Sequence, residues 1–196
     1  HWNQQWFDTY QQVTGLQEGI YKLRVQGLTR VKEWRDQEGE PYAGGTLSED
    51  FKPLYHNSQY YAEVGGRRVA NRFMDIAEGR YEQSTGETEN FNENTNCYVP
   101  NSLAAAHKRF AKGAYWNAPV YFAVGSEQDT VKVGVENRIY LYGNWTVWDT
   151  WRLERVGDCT GDNIDLIRAQ QEAALQDMDE LEAQDSLVTA YHEAKS

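Results

Sequence analysis

Cysteine is scarce in this sequence. The 196 residues include only Cys97 and Cys159. Two thiols cannot build a zinc site alone, and His1, His56, His107 and His192 show no ligand spacing around them. The pair either forms a Cys97–Cys159 disulfide, as an exported protein permits, or remains two buried thiols. Long apolar runs are also missing, so no segment reads as a membrane span. There is no basic stripe. Residues 158–196 carry 10 acids and 2 bases, and residues 1–157 carry 20 acids and 17 bases, so the net charge of −11 sits mostly in the tail. A phosphate backbone needs the opposite, which excludes nucleic acid as the expected partner. The opening HWNQQW has neither a basic n-region nor an apolar h-region, so any signal peptide is expected to have been removed. No Gly-x-Ser-x-Gly, His-Glu-x-x-His or phosphate loop occurs. Carboxylate pairs such as Glu33/Asp36 and Asp75/Glu78 are of a kind that chance supplies in so charged a chain. The expectation is a protein that is not an enzyme.

Aromatic residues, by contrast, are abundant: 13% of the chain, with 7 Trp and 13 Tyr. At 40% hydrophobic the chain is globular, long enough for one core and an appendage. In GIYKLRVQGLTR (19–30), Tyr21, Leu23 and Val25 alternate with Lys22, Arg24 and Gln26, the period of a half-buried strand. FDTYQQVTGL (7–16) reads as a strand that forms a hairpin with it. YYAEVGGRRVANRF (60–73) is strand, Gly65-Gly66 turn, strand. APVYFAV (118–124) and DTVKVGVEN (129–137) are strands, the latter with Val131, Val133 and Val135 on one face. Residues 31–59 and 79–98 lack periodicity and read as two long loops.

NSLAAAHKRFAKGAY (101–115) differs. Asn101 or Ser102 can cap, alanines follow, and Gly113 sits at the C-terminal stop, so one short helix is predicted. After Asp162 the apolar residues Ile164, Ile167, Ala174, Met178 and Leu181 recur at three and four, an amphipathic helix. Its stripe must lie on the body, pair with a second helix beginning near Asp185, or start a helical domain. These elements predict an all-β, antiparallel jelly-roll β-sandwich over 1–157, with one short internal helix. Residues 158–196 form an acidic helical extension.

The closing strand, WTVWDTWRLERV (145–156), raises a question of its own. Strict alternation puts Val147, Asp149, Trp151 and Leu153 on one face, and Trp151 and Leu153 mark that face as core. Asp149 is then a carboxylate on the buried side. It either ties a loop to the sandwich through hydrogen bonds or ligates calcium.

Three motifs carry a resemblance. FDTYQQVTGLQEGIYKLRVQGLTR, through Asp8, Tyr10, Gln11, Gly19, Tyr21, Gly27 and Arg30, resembles the opening of galactose-binding-domain-like jelly rolls of Bacteroidetes surface and glycan-degrading proteins. YVPNSLAAAHKRFAKGAYWNAPVYFAV is similar to that family's "VPNS, short helix, F, G, Y" element through Val99, Pro100, Asn101, Ser102, Phe110, Gly113 and Tyr115. The closing strand matches through Trp145, Trp148, Asp149, Trp151, Arg152 and Leu153. The resemblance spans residues 2–157 and departs in the long 31–59 loop. It implies an eight-stranded sandwich. It also implies a carbohydrate-binding role in many members, often with a structural calcium ion, and export to the cell surface or periplasm within a longer chain.

A sugar site needs flat aromatic faces and polar groups that reach hydroxyls. Trp34, Tyr42, Tyr55 and Tyr60 lie in or beside the first long loop, with Arg35, Asp36 and Asn57 among them. They either present a platform or fold the loop as a private cluster. Trp116, next to Asn117, is a second candidate. NFNENTN (90–96) is rich in oxygen ligands without EF-hand spacing. Arg67, Arg68 and Arg72 either meet an acidic glycan or pair with surface acids. The expected function is non-catalytic glycan binding, with neighbouring domains of a longer chain as further partners. The alternative is a structural or protein-interaction module without a sugar site.

Overall fold

The computed structural model describes residues 6–30, 57–93, 96–138, 144–159 and, beyond them, 165, 167–169 and 172. The strands are β1 (Phe7–Val13), β2 (Gly19–Arg30), β3 (Ser58–Val64), β4 (Arg67–Arg72), β5 (Met74–Asp75), β6 (Glu89–Asn92), β7 (Cys97–Pro100), β8 (Val120–Val124), β9 (Val131–Asn137) and β10 (Trp145–Gly157). Helix α1 (Leu103–Ala111) lies between β7 and β8. One sheet has the order β1-β9-β3-β4, antiparallel throughout. In the other, β10 borders β2 on one side. On its far side β2 pairs antiparallel with β8 and, over two residues, parallel with β5. β6 and β7 form a separate hairpin. The architecture is all-β and sandwich-like.

The period-two pattern explains the core. Tyr21, Leu23 and Val25 of β2 and Val120, Phe122 and Val124 of β8 meet Tyr60 and Ala62 of β3, Val69 of β4 and Val131 and Val135 of β9. Phe73 packs fully buried onto Gly27, where a Cβ would stand 2.3 Å from the ring. The β3–β4 hairpin turns on Gly65 and Gly66 with φ of 57° and 78°, the pair of positive values that a two-residue type I′ turn requires. The opposite face of β2 bears a second cluster, in which Leu28 and Trp145 pack against Phe110, Ala106, Tyr115 and Ile76.

Helix α1 starts as its sequence predicts. Ser102 Oγ accepts from Ala105 N at 3.1 Å, and Gly113 follows the last turn at φ 80°. Arg109, on its buried side, pairs with Glu89 at 2.7 Å, with both side chains almost fully enclosed. Burial pushes the Glu89 carboxyl up, but Thr85 N, Ser84 Oγ and Arg109 outweigh it and hold it below its usual range. Beyond β10, residues 165, 167–169 and 172 are helical, and Ile167 is buried against the core between the sheets.

Two expectations are corrected. β1 and β2 do not form a hairpin: β1 pairs with β9 and β2 with β10. The link at 14–18, with Gly15 at φ 72°, carries the chain from one sheet to the other, and Tyr21 Oη donates to Gln17 O at 2.8 Å to anchor it. Local alternation identifies a strand but not its partner. The 79–98 segment is also not strand-free, since it contains β6 and the start of β7. Cys97 is buried, Cys159 is exposed, and no disulfide joins them.

Candidate functional site

On the face of β2 turned away from the sandwich interior, Lys22, Arg24, Gln26 and Leu28 follow one another. Leu28 is covered by α1. The Gln26 amide donates to Phe110 O and Ala114 O, both at 2.9 Å. The segment after α1 then runs along this edge of β2. Gly27 N donates to Tyr115 O at 3.0 Å and Asn117 N donates to Val25 O at 3.1 Å, while Tyr115 takes a φ of 56°. The Asn117 side chain locks the arrangement. Its Nδ2 donates to Gly27 O at 2.8 Å and its Oδ1 accepts from Met74 N at 2.7 Å. Trp116, between these two anchored residues, is therefore held rigidly and remains partly exposed.

Two arginines lie against its ring. The guanidinium carbon of Arg24 is 5.1 Å from the ring centroid and that of Arg152 is 4.6 Å. Arg24 and Arg152 are direct cross-strand partners on β2 and β10. The cluster offers a flat ring and fixed N–H donors, equipment for holding a ligand.

A second polar region closes one end of the body, where β2 and β9 finish and β3 and β10 begin. Asn137 Oδ1 accepts from Asn57 Nδ2 (3.0 Å), Ser58 Oγ (2.8 Å) and Asn144 Nδ2 (2.7 Å). Thr146 bridges to Ser58 and Thr29. Beside it, Asp75 caps a single 3-10 turn (76–78). Its carboxylate accepts from Ala77 N, and Glu78 accepts from Asp75 N, each at 2.8 Å. Burial pushes the Asp75 carboxyl up to about 7. The Ala77 N–H opposes this and the Glu78 charge adds to it, while Arg72 and Arg30 pull the other way. Arg30 is buried, donates to Asn101 Oδ1 at 3.2 Å and lies over Trp145.

Of the residues singled out from sequence, Trp34, Arg35, Asp36, Tyr42 and Tyr55 lie outside the described residues. Tyr60 is placed in the core, with no exposure, its ring against Phe73 at 5.1 Å and its hydroxyl donating to Ala118 O. Burial raises its pKa well above the ordinary phenol value. Asn57 is likewise fully enclosed, tying β3 to β9. Neither offers a ligand-facing surface, because both side chains are fully enclosed. Trp116 alone of the described aromatic candidates has its ring partly in solvent.

Asp149 is corrected too. It is exposed, not buried. The β10 register steps from Trp148↔Gly27 to Trp151↔Val25, so Asp149 and Thr150 together oppose Gln26 in a β-bulge. The extra residue resets the alternation. Trp148, Trp151 and Leu153 all pack on the core, and Asp149 is expelled to the surface. Among the described residues no three His, Cys, Asp or Glu side chains converge as a metal site. Arg68 faces Glu63, Asp8 and Glu136, and Arg72 faces Glu78, so these arginines pair with the protein's own acids.

The sequence shows Arg24, Arg30 and Arg152 only as strand or motif residues and Asp75 only as one of a chance pair with Glu78, and assigns none of them to a site. Arg24 was visible as an outward position of an alternating strand, but its neighbour on β10 depends on the register. Comparison with protein-family models, curated proteins and solved structures finds no match.

Proposed function

We propose that this protein is a non-catalytic glycan-binding module of the jelly-roll type, working within a larger exported protein at the cell surface or in the periplasm. The observation that carries the reading is Trp116. It is a partly exposed indole on a hydrogen-bonded backbone, bordered by two arginines whose N–H groups suit sugar oxygens. Aromatic surface with fixed donors is the usual equipment of carbohydrate recognition, and rigidity lowers the entropic cost of binding. The resemblance of the three sequence motifs to galactose-binding-like modules supports the same reading. A shallow site of this kind binds weakly, with a Kd of about 1 mM for one copy, and gains strength through multivalency.

The test is an array of plant, host and microbial glycans probed with the protein displayed multivalently, followed by Trp116→Ala. Hits that vanish in the variant support this face as the site. A blank array favours the second reading, a protein-interaction module. One observation speaks for that alternative: β1 is an edge strand with Tyr10 half exposed, and Trp6 just before it is 69% exposed.

A further inference from the structure

We infer that the Arg24–Arg152–Trp116 cluster is a receptor for an anionic pyranose, its charge a carboxylate or a sulfate ester. The inference rests on the glycan-binding reading and adds the ligand's charge and the groups that read it.

Like charges directly opposite on an antiparallel pair repel and destabilise the sheet. Arg24 and Arg152 occupy such a position. In a chain with 30 acidic residues, a carboxylate partner would be the ordinary remedy. Arg68, Arg72, Arg109, Arg138, Arg155 and Arg168 each have one within 3.4 Å. The guanidiniums of Arg24 and Arg152 make no hydrogen bond or ion pair with any described residue, and Arg24 Nε is buried without an acceptor. The nearest acids along the strands do not serve them. Glu154 is opposite Lys22, and Asp149 projects from the bulge beside Gln26. What the two guanidiniums share is the Trp116 ring, which favours cations over its face and holds planar forks in fixed orientation. Two oriented forks with unused N–H groups match the oxygens of a carboxylate or sulfate, and such charge-assisted bonds are strong and directional. An incoming anion would relieve the repulsion between the two guanidiniums. Of the two roles the sequence leaves open for Arg67, Arg68 and Arg72, Arg68 and Arg72 take the pairing with the protein's own carboxylates.

The test is affinity electrophoresis of the full chain in gels containing polygalacturonate (carboxylate), carrageenan (sulfate without carboxylate), neutral hydroxyethylcellulose or polyglutamate. Retardation is expected in at least one acidic polysaccharide, and which one identifies the anion. It should weaken with added salt. Arg24→Gln and Arg152→Gln should each weaken it about tenfold or more, as loss of one charge-assisted bond implies. Neither variant should melt lower than wild type by calorimetry, because each removes a like-charge contact. Trp116→Phe, which keeps a ring beneath the arginines, should retain most of the binding.

Retardation by the neutral polymer alone, unchanged in both arginine variants, overturns the inference and leaves glycan binding standing. Equal retardation by polyglutamate and polygalacturonate shows a general anion patch and overturns the sugar assignment. Acidic-gel retardation that survives both arginine variants places the site elsewhere and also overturns it. No retardation in any polysaccharide, with a blank array, removes both readings.

Discussion

Asp75→Asn should make this protein more stable at neutral pH, although it deletes a side-chain charge flanked by two arginines. Asp75 is 3% exposed, and burial raises its carboxyl from the ordinary 3.8 to about 7. Because the folded-state value is the raised one, the folded protein keeps between pH 4 and 7 a proton that the unfolded chain has already released. Stability therefore falls with rising pH across that window and is flat above it. Roughly three pH units at 1.36 kcal/mol each give a ceiling of about 4 kcal/mol. Asparagine has the same shape, carries no charge to desolvate, and its Oδ1 can still accept from Ala77 N. Wild type and variant should have nearly equal stability at pH 4. By pH 8 the variant should lead by up to ~4 kcal/mol, or about 8–16 °C in melting temperature for a chain of this size. The lowered carboxyls of Glu63 and Glu89 act in the opposite sense at lower pH and are common to both proteins, so the difference reports position 75 together with Glu78, whose charge is coupled to it. The assay is thermal melting of both proteins from pH 4 to 8. Parallel curves, or a variant less stable at pH 8, would refute the reasoning.

Other perturbations have equally definite outcomes. Arg109→Met strands the Glu89 carboxylate inside the protein and should cost about 3–5 kcal/mol in urea unfolding, with Glu89→Leu in the same chain recovering most of it. Gly27→Ala places a methyl 2.3 Å from the Phe73 ring and should destabilise by about 1–3 kcal/mol, less when combined with Phe73→Leu; an unchanged urea midpoint would contradict the packing. Asp149→Ala, at an exposed bulge, should change stability in urea unfolding by no more than about 0.5 kcal/mol; a larger loss that appears only when calcium is present would restore the ion to this strand.

The sequence by itself determined the strands with a clean period and the punctuated turns. β2 runs from Gly19 to Arg30 as its alternation demands, because each side chain chooses a face without reference to its partner strand. Gly65-Gly66 specified its own hairpin, since only glycine enters both positive-φ positions freely. Ser102 and Gly113 bracketed α1 for the same local reason. The three polar residues of β6 around Phe91 gave no such sign, because the pairing with β7 is held by Glu89, Arg109 and Tyr81 around it and not by strand propensity. Which sheet β1 joins was decided by tertiary structure, as was the bulge that turns Asp149 outward, for both depend on closing one core across distant segments. The same holds for the candidate site. Trp116 could be named from sequence as an aromatic after a helix. That Arg24 and Arg152 meet over it depends on the register of two strands more than a hundred residues apart, and register is set by the packing of every side chain between them.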